Sequence, residues 1–105
     1  MIRERRFAAR KSVCLDVIVS HGFDDAGLWK TRNLSLDGAL IDMPPESLPL
    51  QAEVEAILAL AERDHLEHYH LVARVVRVGP DGVALALHDY GIRIYTALVK
   101  LLHAE

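Results

Sequence analysis

A pair of arginines near the start of the 105-residue chain could bind an anionic ligand. Arg6 and Arg10 are four residues apart, and each offers a planar guanidinium group with five N–H donors. Such a group donates paired hydrogen bonds to phosphate oxygens or to the O6/N7 edge of guanine. Arg5 adds a further cation beside the pair.

A second candidate group follows in the segment 33–38, Asn-Leu-Ser-Leu-Asp-Gly. If this segment begins as a strand, Asn33 and Ser35 leave on one face, towards water or a ligand, and the leucines leave on the other, towards a core. The pair Asp37-Gly38 is typical of a tight turn, where glycine lets another group approach the main chain closely. A simple turn is enough to explain this pattern by itself, and the arginine pair is what favours a binding site.

The order Arg-x-x-x-Arg and then Asn-x-Ser-x-x-Gly resembles the PilZ domain family, whose ligand is the bacterial second messenger cyclic di-GMP. The resemblance covers nearly the whole chain. It implies that the ligand contacts Arg6, Arg10, Asn33, Ser35 and Gly38. An arginine at the position of Arg5 accompanies binding of a stacked ligand dimer in some members. The chain departs from the family at Asp37, where a second glycine is frequent, and the added negative charge is expected to weaken affinity.

The resemblance also implies a function without catalysis. We expect a stand-alone receptor with no cofactor, in which a flexible arginine-rich arm, residues 1–11, changes conformation when cyclic di-GMP binds and so signals to an unidentified downstream protein. Residues 12–105 would form the PilZ domain. The alternative is a PilZ-like module that binds no nucleotide and works through protein contacts.

Composition limits the other possibilities. A net charge of −3 gives no reason to expect a nucleic-acid polymer as partner, although five of the 12 lysines and arginines lie in the first eleven residues. A single cysteine, Cys14, excludes an internal disulfide, and we expect it to be a small buried side chain. The sequence shows neither a signal peptide nor an apolar run long enough to insert into a membrane, so we expect a cytoplasmic protein.

Apolar alternation predicts most of the strands. The predicted strands are Ser12–Ser20, Leu28–Leu34, Ala39–Met43, His68–Val78 and Val83–His88. A turn at 21–27 would pair the first two and bring Asn33 and Ser35 back beside the start of the first strand, near the arginines. Gly79-Pro80-Asp81-Gly82 predicts a second hairpin.

The segment 53–63 is ambiguous. Its residue types and a stripe at Val54, Ile57, Leu58 and Ala61 favour a helix, but its apolar residues also alternate as in a strand. The family resemblance implies a strand here, and we adopt it. A helical period begins at about residue 90. The predicted fold is therefore mainly β: a small six-stranded antiparallel PilZ-type barrel with a C-terminal α-helix.

Two other groups carry less weight. His65, His68 and His70 lie close in sequence, but exposed histidines at the entrance to a strand are common, and we expect no metal site. The acidic pairs lack the buried, opposed environments that acid–base carboxylates need, and no nucleophile has a base beside it. The sequence thus predicts a protein that is not an enzyme.

Overall fold

The structure, a computed structural model, describes residues 11–22 and 27–103. It contains six strands and one α-helix: β1 (Asp16–Ser20), β2 (Gly27–Leu34), β3 (Gly38–Ile41), β4 (Glu53–Glu62), β5 (His65–Gly79), β6 (Gly82–Leu87) and α1 (Ile92–Leu102). A 3-10 turn at Pro45–Ser47 follows β3. The predicted mainly β architecture is confirmed.

The strands form a closed antiparallel barrel in the order β1-β2-β3-β6-β5-β4. Closure comes from β1, which pairs with β2 on one side and with β4 on the other. Inward-facing side chains fill the barrel, and Val17, Leu58, Val75 and Val83 are almost completely buried. Closing the sheet leaves few unpaired strand edges, which otherwise favour aggregation.

The ambiguous segment is strand β4. Its side chains alternate between the core and the surface. The buried ones are Val54, Ala56, Leu58 and Leu60, and the exposed ones near its start are Glu53 and Glu55. All ten of its residues pair with β5. In the barrel this segment forms hydrogen bonds with a strand on each side and buries alternate side chains in the core. These interactions outweigh its helix propensity. The strand that we adopted for 53–63 is therefore confirmed.

Helix α1 covers the barrel with a narrow apolar stripe. Ala97 and Leu98 are buried, and Ile94 and Leu101 pack beside them. Arg93 fixes the start of the helix to β5, since its Nη2 donates to Glu67 Oε2 at 2.5 Å. None of the helices in the described ranges is long and apolar enough to cross a membrane.

The first strand differs from its predicted form. β1 begins at Asp16, and residues 12–15 carry no regular strand assignment, although Lys11 forms an isolated bridge with Leu34. Cys14 is exposed, so the prediction of a buried thiol was wrong. Val13 and Leu15 pack against the core, and the alternation of the chain turns the side chain between them outward.

Candidate ligand-binding site

The segment 33–38 forms a compact turn between β2 and β3. Ser35 N–H donates to the Gly38 carbonyl at 2.8 Å, which closes the turn. The Asp37 carbonyl accepts from Leu87 N–H at 3.0 Å and anchors the turn to β6. The predicted tight turn at Asp37-Gly38 is therefore present, and three strands position it.

Ser35 does not face outward as we expected. Only 1% of its surface is exposed, and its hydroxyl donates to Asp37 Oδ1 at 2.7 Å. The prediction assumed that the strand continues past Leu34, but β2 ends there and the chain bends. Ser35 is thus part of the framework of the turn, and Asp37, which departs from the family pattern, is its partner.

Gly38 is needed for packing. A Cβ at this position would lie 3.2 Å from the Leu85 carbonyl oxygen and 3.9 Å from Ser35 Oγ. The first distance is tighter than most side chains tolerate, so the backbone of β6 would have to move. The glycine allows β3 and β6 to approach closely at the edge of the turn.

Asn33 remains available for a ligand. It is half-buried and lies opposite Leu40, next to an irregularity in the β2–β3 register. Within the part of the chain that the structure describes, its amide makes no hydrogen bond. The amide offers both donors and an acceptor to a group outside the barrel.

Tyr90 supports the turn from the segment before α1. Its hydroxyl donates to the Leu36 carbonyl, in the middle of the turn. Burial raises the pKa of Tyr90, and the negative charge of Asp37 raises it further. The phenol therefore keeps its proton and remains a hydrogen-bond donor.

The N-terminal segment runs directly beside this turn. Lys11 and Leu34 exchange two backbone hydrogen bonds, each of 2.9 Å. Four residues later, Leu15 accepts from Thr31 N–H at 2.9 Å. The hairpin thus brings the start of the described chain beside Leu34, as the strand pattern predicts.

Thr31 holds this segment in place, and sequence reasoning did not identify it. It is 2% exposed, and its hydroxyl accepts from Leu15 N–H at 2.9 Å and donates to the Val13 carbonyl at 2.5 Å. The only sequence signal was a hydroxyl residue at an inward position of β2, two residues before Asn33.

The arginines predicted to bind the ligand are outside the described residues. Arg5, Arg6 and Arg10 all precede Lys11, and their contribution to the site stays a prediction. The three histidines near the start of β5 are exposed. Among residues 11–22 and 27–103, no cluster of His, Cys, Asp or Glu is arranged to hold a metal ion.

Comparisons with known proteins agree with this geometry. The family model for the PilZ domain matches residues 4–104. The structure of the Bacillus subtilis inhibitor of motility (MotI/DgrA) superposes with a TM-score of 0.80 at 20% identity, over 94% of this chain and 50% of that one. The PilZ domain of CeSA from a cellulose-synthesizing bacterium gives a TM-score of 0.65 at 18% identity, over 89% of this chain and 93% of that one. These similarities show the fold.

This chain spans about half the length of the MotI/DgrA chain. No curated protein sequence matches it.

Proposed function

The chain belongs to the PilZ domain family, and we propose that it is a receptor for cyclic di-GMP, the ligand class of that family. The protein binds and regulates without catalysing a reaction, as PilZ domains do. The ligand would lie outside the barrel, over the turn 33–38.

The observation that carries the proposal is the backbone pairing of Lys11 with Leu34. Arg10 precedes Lys11 directly in the sequence, and consecutive Cα atoms are about 3.8 Å apart. A ligand over the turn is therefore within reach of the arginine motif. In this proposal two motifs more than twenty residues apart meet at one site, and the β1–β2 hairpin, which returns Leu34 to Lys11, supports it.

Each group then has a defined role. Arg6 and Arg10 bind phosphate oxygens or the guanine O6/N7 edge, and the amide of Asn33 meets a base edge. Ser35 and Gly38 shape the turn, because the Ser35 hydroxyl donates to Asp37 and Gly38 lets β3 and β6 approach closely. Arg5 would join the site where two stacked ligands bind.

The proposed signal is a change in the N-terminal arm. We propose that residues 1–11 change conformation when cyclic di-GMP binds, and that a downstream protein recognises the new surface. Ordering the arm costs conformational entropy, and charge-assisted hydrogen bonds offset that cost. A reducing compartment, the cytoplasm, suits a chain with one cysteine.

Calorimetric titration with cyclic di-GMP, with GTP as the control ligand, tests binding. Arg10→Ala should weaken the affinity by roughly 1.5–3 kcal/mol, the scale of a hydrogen bond to a charged group, and leave the melting temperature unchanged. The stoichiometry of one or two ligands per chain decides the role of Arg5. Unchanged affinity in Arg10→Ala would remove the arginine motif from the site.

One observation favours the alternative of a PilZ-like module that binds a protein and no nucleotide. Ser35 and Gly38 are both explained by packing within the turn. Under this alternative, wild-type protein that is fully folded shows no heat of binding with cyclic di-GMP.

A further inference from the structure

The outer surface of the barrel continues beyond the turn as a low floor. Gly38 on β3 lies opposite Ala86 on β6, and Leu40 lies opposite Ala84. Ala84 and Ala86 alternate with the buried Val83 and Leu85, so they belong to the outer surface. Gly38 and Ala86 therefore form a low row beside the proposed site, and Leu40, which points to the same outer side as Ala84 and is 7% exposed, bounds it.

An arginine stands at the far side of this floor. Arg74 on β5 pairs with Ala86, which in turn pairs with Gly38. Two strand spacings separate Gly38 from Arg74, about 10 Å between their Cα atoms. Ala73 and Val75 are completely buried, so Arg74 faces outward from the barrel.

Arg74 is available for a ligand. Its side chain is 47% exposed, and its Nη2 lies 3.6 Å from Glu53 Oε2 on β4. An exposed ion pair at this distance contributes little to stability. Arg74 can therefore leave the Glu53 carboxylate for an acceptor on a ligand at a small cost in free energy. The long, flexible side chain can turn from Glu53 towards Ala86 across its own strand.

We propose that Arg74 is a specificity-determining residue that binds the O6/N7 edge of a guanine lying on the floor formed by Gly38 and Ala86, with Leu40 at its border. This inference rests on the proposed function. A flat, apolar floor can pack against the face of a purine ring. The edge of that ring then points along the barrel surface, towards the guanidinium group of Arg74. A single guanidinium donates two parallel hydrogen bonds to guanine O6 and N7, and an ammonium group cannot reproduce that pair.

The test is calorimetric titration of cyclic di-GMP into wild type, Arg74→Ala and Arg74→Lys. Loss of a bidentate base contact should weaken binding by about 5- to 100-fold, and the lysine variant should lose nearly as much as the alanine variant. Arg63→Ala is the matched control, since it removes the same charge from the exposed turn between β4 and β5. That turn lies about 30 Å along β5 from Arg74. Circular dichroism melting checks that each variant is folded.

Each outcome decides a separate question. Wild type that binds while Arg74→Ala stays within twofold of it overturns the role of Arg74 and leaves the receptor function intact. Full affinity in Arg74→Lys, or an equal loss in Arg63→Ala, shows that only charge matters and overturns the guanine contact. Wild type without saturable binding rejects the receptor function, and this inference with it.

Discussion

At the scale of single residues, the hydroxyl of Thr31 holds the segment that leads into the proposed site through two hydrogen bonds. We predict that Thr31→Val destabilises the fold by about 1–3 kcal/mol, because Leu15 N–H and the Val13 carbonyl lose their partner in a partly buried environment. Urea denaturation measures this loss. Amide exchange at Leu15 should also become faster.

The control for this substitution is Thr96→Val, at an exposed position of α1. It makes the same chemical change where water can replace the hydroxyl, so its effect should stay within about 0.5 kcal/mol. Equal losses in the two variants would mean that Thr31 does not hold the segment through its hydrogen bonds.

At the scale of elements, the start of helix α1 is held to β5 by a small polar network. Arg93 Nη2 donates to Glu67 Oε2, and its guanidinium carbon lies 4.7 Å from the centre of the Tyr69 ring. Tyr69 donates in turn to Glu62 at the end of β4. The hydrogen bond from His65 lowers the pKa of Glu67, and the positive charge of Arg93 lowers it further.

This network predicts a pH-dependent contribution to stability. A carboxyl with a lowered pKa in the folded state stabilises the fold above its ordinary pKa of 4.5, and the contribution is lost as the pH falls through the folded value. Wild type should therefore exceed Glu67→Gln in urea midpoint at pH 7, and the difference should close towards pH 3. Glu55→Gln, at an exposed position of β4, is the control. A difference of the same size at both pH values would contradict this account.

At the scale of the whole molecule, the N-terminal segment, the turn and the helix form one connected surface. Lys11 Nζ donates to the Leu102 carbonyl at 3.3 Å. This is the C-terminal end of α1, where the negative end of the helix dipole attracts a cation. Tyr90 joins the turn to the segment before the helix. Under the proposed function, a ligand over the turn 33–38 would therefore act close to both ends of α1.

We predict that saturating cyclic di-GMP slows amide exchange in residues 1–11 and around residues 101–103. Residues 20–22, at the end of β1 and away from the Lys11–Leu34 pairing, serve as the internal control and should not change. Amide-resolved exchange by NMR, with and without ligand, measures both. Equal rates in residues 1–11 at saturation would reject the conformational switch even if binding were real.

Local patterns determined much of this fold. Alternating apolar residues predicted β2, β5 and β6 with errors of a few residues at their ends, and the change of period predicted α1. These signals suffice because one buried face imposes the period of two in a strand and 3.6 in a helix. The order and spacing of the two motifs, Arg-x-x-x-Arg and Asn-x-Ser-x-x-Gly, indicated the family from the sequence alone.

Tertiary structure alone decided three other features. Segment 53–62 is a strand because β1 and β5 pair with it on both sides, against its own helix propensity. Ser35 is buried because β2 ends one residue earlier, and Thr31 matters because residues 13–15 pass beside it. Each of these three features depends on contacts with residues from another segment of the chain. The apolar period of a single segment does not show which strand will pair with it.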